Sequence, residues 1–238
     1  MTSTIILCGG RGARLRPLTD ALPKALVPLN GKPILQHIIE SYIRHGRRTF
    51  VLCLGYYGDK VIEFCRQAGF DADIQFSNAG EAAGMLERLV AARPYIGDRA
   101  IVTYGDTLID VDIDDLEARH RRSGAALTIT TADVRSPFGQ VQTEAGGRVV
   151  DFREKPVHTY YVGQMVVEAG ALEGVAPDVV ALPDGLGLVH WLRTLIAEGR
   201  VWQYAYSGPQ ITFNTEQDLA QAERDLMSFY TLREREEQ

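Results

Sequence analysis

Apolar positions along the first half of the chain alternate between two periods. Short unbroken runs cover residues 4–8, 50–54, 74–76 and 100–104, and each reads as a buried strand. Between them the spacing is helical. Over residues 33–46, Ile34, Leu35, Ile38, Ile39, Tyr42 and Ile43 form one face, and Gly46 closes it. Residues 58–68, 84–92 (with Leu86, Leu89 and Val90 on one side) and 115–123 carry the same period. Strand–helix alternation of this kind predicts an α/β fold with a mostly parallel sheet sandwiched by helices.

The second half reads differently. Residues 127–132, 139–143, 149–152 and 163–167 look like strands parted by Gly and Pro turns, which makes this half β-rich. A helix over 188–198, a strand over 202–206 and a charged helix over 215–235 follow, and the charged end at 232–238 reads as solvated. No Pro/Gly/Ser linker and no repeat divide the 238 residues, so we expect one domain, with halves of about 1–125 and 126–238.

Charge narrows the function. The net charge of −6 argues against coating nucleic acid or lying on a membrane, so any anion site must be local. No apolar run is long enough to span a bilayer. Entry into a strand within the first residues predicts a chain without a leader and hence a cytoplasmic protein. Cys8, Cys53 and Cys65 form no CxxC pair and sit in or beside apolar segments, as buried reduced thiols do. His37, His45, His120, His158 and His190 show no paired ligand spacing and read as surface or packing residues.

The local anion site is TIILCGGRGARLRPLTDALPKALVPLNGKPIL. A strand stops at Gly9-Gly10, and Arg11, Gly12, Arg14, Arg16, Lys24 and Lys32 follow. Glycines after a strand let backbone N–H groups approach phosphates closely. The pattern is neither GxGxxG nor the GxxxxGK[ST] loop, and it adds Arg14 and Lys24, cations suited to a triphosphate or a developing pyrophosphate. A second feature is TYGDTLIDVDIDDL, where a strand ends in Gly105-Asp106. In open parallel sheets ligands bind at that end of the strands, and an aspartate there can hold Mg²⁺ against phosphate oxygens. Asp110, Asp112, Asp114 and Asp115 read instead as a helix cap and a solvated acidic edge.

These segments, with FREKP further on, resemble the sugar-1-phosphate nucleotidylyltransferase family in order and spacing. GKPILQHIIESYIRHG and LGYYGDKVIEF are most similar to its glucose-1-phosphate cytidylyltransferase branch. The resemblance implies a nucleotidyltransferase-type, Rossmann-like sheet with an inserted β-rich acceptor-binding half. It implies a Mg²⁺-dependent reaction of an NTP with a sugar 1-phosphate that releases pyrophosphate, with CTP the preferred donor and UTP, GTP or dTTP as alternatives. By the same resemblance Leu7, Cys8, Gly9, Gly10, Arg11, Gly12, Ala13, Arg14, Lys24, Gly80 and Gly105 bind nucleotide. Arg14, Lys24 and Asp106 are catalytic, Asp106 and Asn214 hold the metal, and Gly139, Glu154, Lys155 and Val162 meet the acceptor. The expected partners are an NTP and a small phosphorylated acceptor, with a homo-oligomer open and neither nucleic acid nor membrane.

Three departures stand out. Asn214, in ITFNTEQDL, occupies the place of a family aspartate, with Asp218 the runner-up ligand. NAGEAAGMLERL places Met85 where the branch reads its base with an arginine. Tyr161-Val162-Gly163-Gln164 replaces the branch's Asn-Gly-Gly, which predicts an acceptor that lacks or repositions one sugar hydroxyl, or a cyclitol phosphate or phosphonate. Two rivals remain. A Rossmann oxidoreductase would need GxGxxG and an acidic residue ending the second strand, where this chain has Gly55-Tyr56. A non-catalytic relative that binds nucleotide sugars would fit the same departures.

Overall fold

The computed structural model describes residues 2–236, and the solvation expected of the 232–238 end lies outside what is described. In chain order the elements are β1 (Ser3–Leu7), β2 (Pro28–Leu29), β3 (Lys32–Pro33), α1 (Ile34–Arg44), β4 (Thr49–Leu54), α2 (Gly58–Ala68) and β5 (Asp73–Asn78). Then come α3 (Met85–Ala92), β6 (Arg99–Tyr104), β7 (Thr107–Ile109), α4 (Ile113–Ser123), β8 (Leu127–Arg135), β9 (Gln140–Thr143), β10 (Val149–Arg153) and β11 (Val157–Glu168). The chain ends with α5 (Pro177–Val180), α6 (Leu186–Ala197), β12 (Val201–Tyr206), β13 (Gln210–Thr212) and α7 (Glu216–Glu236).

Seven strands form one sheet in the order β12-β8-β11-β6-β1-β4-β5, parallel except for β11. Both halves contribute to it. The chain winds outward from β1 through β4 to β5, then returns to place β6 on the other side of β1. The crossing direction therefore reverses between β1 and β6. Connections leave that point on opposite faces, and a crevice opens at the strands' carboxyl ends.

Alternation along each strand sorts the core into two layers. Ile6 packs with α1, α2, α4 and α7 through Leu35, Ile39, Val61, Leu116 and Phe229. Ile5 packs with α3 and α6 through Leu86, Leu89, Leu188 and Trp191. Full burial of an Ile or Leu side chain is worth about 1.5–3 kcal/mol, so these stripes outweigh intrinsic helix propensity. Local signals set the ends. Asp112 caps α4, its carboxylate accepting from the Asp115 N–H at 2.9 Å. Among the described residues no helix is long and apolar enough to cross a membrane.

The same alternation corrects one reading of the sequence. Val162 and Gln164 were expected to shape the acceptor pocket. Val162 is 4% exposed and packs in the layer of Ile6 and Phe213. Gln164 is 1% exposed; its amide donates to Tyr42 Oη at 2.8 Å and its carbonyl accepts from Thr130 Oγ1 at 3.0 Å. Both side chains leave the face of β11 that carries Tyr161 and Met165 and turn into the core. Gln164 is a buried hydrogen-bond bridge between α1, β8 and β11. Gln164→Leu therefore strands the buried Thr130 hydroxyl and takes one of two side-chain hydrogen bonds from the buried Tyr42 hydroxyl. It should lower unfolding free energy by about 2–4 kcal/mol, read as a lower urea midpoint at unchanged slope. A change within about 0.5 kcal/mol, the range of ordinary surface substitutions, would contradict the bridge.

Candidate active site

A cavity of about 550 Å³ opens at the carboxyl ends of β1 and β6, where the topology places a crevice. Leu7, Cys8, Gly9, Gly10, Arg11 and Ala13 line one wall, Tyr104, Gly105 and Asp106 another, and Lys24 and Ala25 the floor between them. The loop after β1 turns through Gly12, whose φ of 62° lies in the left-handed region. A Cβ there would stand 2.9 Å from Lys24 Cβ. The turn thus lets the loop lie against the Lys24 segment.

Lys24 is not the exposed cation that its Pro-flanked setting suggests; its side chain is only 11% exposed. Its ammonium donates to Asp106 Oδ2 at 2.5 Å and to Asn214 Oδ1 at 3.1 Å. Arg14 donates to the same Asn214 oxygen at 2.8 Å. The four residues come from three regions of the chain. A short antiparallel ladder joins two of them: β7 pairs with β13 in the register Thr107↔Thr212, so Asp106 and Asn214 flank its end. Asp218 is not in the cluster. Its carboxylate accepts from the Asn214 and Thr215 N–H groups, both at 3.0 Å, and this hydrogen bonding holds it below the usual carboxylate range. Asp218 thereby caps α7 and fixes the backbone that carries Asn214.

The donor set suits a hard divalent cation. Asp106 offers a carboxylate and Asn214 an amide oxygen, and Mg²⁺ commonly takes one or two protein oxygens and completes its shell with water and substrate phosphates. The Lys24 ammonium, a cation, now bonds both oxygens, and Arg14 shares that of Asn214. Among the described residues no group of three or more His, Cys, Asp or Glu side chains is arranged for a metal.

Arg88 is a cavity residue that the strand–helix pattern hides. It sits on α3, is 6% exposed, and donates to Leu54 O and, at 3.3 Å, to Glu81 O. A Cβ on Gly9 would overlap its guanidinium. Burial lowers its pKa, yet an arginine stays charged in proteins. A positive charge therefore lies directly beneath the glycine loop. Cys8 lines the cavity as a thiol; burial raises its pKa well above the ordinary value. Cys53 and Cys65 are pushed up to about 12 by burial, and all three cysteines are free.

Gly139, Glu154 and Lys155 stand elsewhere. They belong to the β9–β10 ribbon, which springs from the sheet between Arg135 and Val157, a register pair at the cavity's end of the sheet. Gly139 lies close to Glu154, and Lys155 is exposed with φ 44°. None of the three lines the cavity, nor does Val162. Gly80 N–H donates to Asn78 Oδ1 at 2.9 Å in the turn before α3.

The sequence matches the Nucleotidyl transferase family model over residues 3–171. It is 34% identical over 164 residues to a probable glucose-1-phosphate cytidylyltransferase of Bacillus subtilis, covering 60% of this chain and 65% of that one. It is 28% identical over 236 residues to a putative mannose-1-phosphate guanyltransferase of Sulfolobus acidocaldarius, covering 96% of this chain and 64% of that one. The match thus spans under two thirds of either relative. The fold is also that of a putative glucose-1-phosphate thymidylyltransferase of Bacillus anthracis in complex with a sucrose, with a TM-score of 0.75, 20% identity and 94% of both chains covered.

Arg88→Met should free the glycine loop and remove hydrogen bonds made by a charged group. We expect a loss of about 1.5–3 kcal/mol in urea unfolding and faster hydrogen exchange at the Gly10 and Arg11 amides. Unchanged exchange at those amides would show that Arg88 does not hold the loop.

Proposed function

The chain belongs to the nucleotidyl transferase family, and on that premise we propose that it transfers a nucleotidyl group from an NTP to the phosphate of a sugar 1-phosphate or a sugar-like acceptor, releasing pyrophosphate. CTP is the donor we propose. The likeness to a cytidylyltransferase supports it, although relatives named for guanyl transfer are also matched. The observation that carries the reading is the cluster of Lys24, Arg14, Asp106 and Asn214 at the mouth of a glycine loop.

An oxygen of the acceptor phosphate attacks the α-phosphorus, the bond from that phosphorus to the bridging oxygen breaks, and pyrophosphate leaves with the electron pair. The attacking oxygen is already anionic, so no general base is required. The protein's task is to gather like-charged phosphates and hold them in line. The backbone of residues 9–13 and Arg11 cradle the triphosphate, with Arg88 adding positive charge from below. Lys24 exchanges its carboxylate partner for phosphate oxygens, and Arg14 stabilises the charge that develops on the departing pyrophosphate. Asp106 and Asn214 would hold Mg²⁺, which supplies further neutralisation of phosphate charge when bound. Glu154 and Lys155 reach the acceptor from the ribbon, Lys155 toward its phosphate.

Pyrophosphate release over a matrix of NTPs and sugar 1-phosphates tests the reading; release that requires both substrates supports it. No release with any pair would favour a non-catalytic nucleotide-sugar binder. Asp106→Ala should lower kcat by about a hundredfold or more while the protein stays folded. Near-normal kcat at saturating Mg²⁺ would remove Asp106 from the metal site. Lys24→Met should lower kcat/KM by about 10²–10³-fold. It should also cost some stability, because half-buried Asp106 loses its nearly buried partner. A stability change without a kinetic one would make Lys24 structural.

A further inference from the structure

The cavity has two chemically different ends. Lys24 and Asp106 mark the phosphate end. The other end is walled by Ala82, Ala83 and Met85, whose side chains offer no strong hydrogen-bonding group, and by two carboxylates, Glu81 and Asp184. Arg11 holds Glu81 at 3.2 Å. Asp184 has no hydrogen-bond or ion-pair partner for its carboxylate among the described residues.

Asp184 reaches this place from far along the chain. The family match ends at residue 171, and the loop joining α5 to α6 lies beyond it. That loop nevertheless latches onto the first turn of α3. The Met85 N–H donates to the Asp184 carbonyl at 2.9 Å, and a Cβ at residue 84 would stand 2.6 Å from Leu182 O. Gly84 is therefore required for the approach. Asp184 itself adopts φ 51°, a left-handed conformation that aspartate tolerates better than most residues. The backbone of an exposed, unpaired carboxylate is thus fixed at the α3 wall of the cavity.

We propose that Asp184 selects the nucleobase, accepting a hydrogen bond from an exocyclic amino group. This rests on the nucleotidylyltransfer reading and deepens it. A carboxylate at neutral pH only accepts. Cytosine presents its 4-amino group to such an acceptor, guanine its 2-amino group and adenine its 6-amino group. Uracil and thymine present a carbonyl at position 4, which faces the carboxylate as acceptor against acceptor. Discrimination then comes from repulsion of the wrong base as well as attraction of the right one.

Calorimetric titration of the magnesium salts of CTP, GTP, ATP, UTP and dTTP tests this on wild type, Asp184→Asn and Asp184→Gly. Asparagine and glycine both suit the left-handed backbone, so both variants should fold. Wild type should bind at least one amino-bearing nucleotide about tenfold or more tighter than UTP and dTTP, and the CTP, GTP and ATP arms identify which base. Asp184→Gly should lose that preference without weakening UTP, because the phosphate end is untouched. Asp184→Asn should narrow or invert the ratio, because its amide can donate to a 4-carbonyl. A wild-type preference for uracil or thymine, or a ratio that neither substitution moves, would overturn the role of Asp184 alone. Failure of every nucleotide to bind would overturn the nucleotidylyltransfer reading and this inference with it.

Discussion

The ammonium of Lys24, 2.5 Å from Asp106 and 3.1 Å from Asn214, is the contact on which the site depends. It gathers the end of β6, the segment that follows β13 and the loop region after β1. Removing two charges from water costs several kcal/mol per ion unless partners satisfy them. Here the lysine is nearly buried, the aspartate is half-buried, and the Asn214 carbonyl supplies a further acceptor. The pair is thus satisfied within the protein, and the proposed reaction would exchange it when an anion arrives. A phosphate offers Lys24 stronger partners, and a divalent cation offers Asp106 and Asn214 a stronger one.

The rest of the fold keeps that exchange in place. The reversal of winding between β1 and β6 opens the crevice, and the parallel strands deliver their carboxyl ends to it. The β7–β13 ladder sets Asp106 beside Asn214 although 108 positions separate them, and Asp218 anchors the backbone after the ladder. Beneath the glycine loop, Arg88 substitutes charge for the side chains that Gly9 lacks. These supports are packing and hydrogen bonds within and between regular elements, so the cluster is held in place by the fold itself.

The glycine-loop wall of the cavity is legible in the sequence because its residues are local. Gly9 to Arg14 adjoin in the chain, and Asp106 announces itself by ending an apolar strand. Strands and helices of the first half are legible for a similar reason: each repeats its period over several residues. What is hidden is non-local. β2, β3, β7 and β13 have two or three residues each, too few to show alternation, and their pairing is a tertiary fact. Burial of Lys24 follows from that pairing and cannot be read from its neighbours. Arg88 lies within a helical period and looks like a surface charge until Gly9 and Gly55 are seen to leave room for it. Gln164 misleads in the opposite sense. A polar residue near a family acceptor segment suggests ligand contact, but the strand's alternation turns it toward Tyr42. Asp184 has no local signature at all, since only the latch of its loop onto α3 gives it a place.

The most direct measurement of the central claim is a crystal structure of the protein with a magnesium NTP bound. The account predicts that the Lys24 ammonium leaves Asp106, now 2.5 Å away, for a phosphate oxygen, while Asp106 and Asn214 direct their oxygens to the cation. A nucleotide seated in the cavity with the Lys24–Asp106 pair still closed would contradict it.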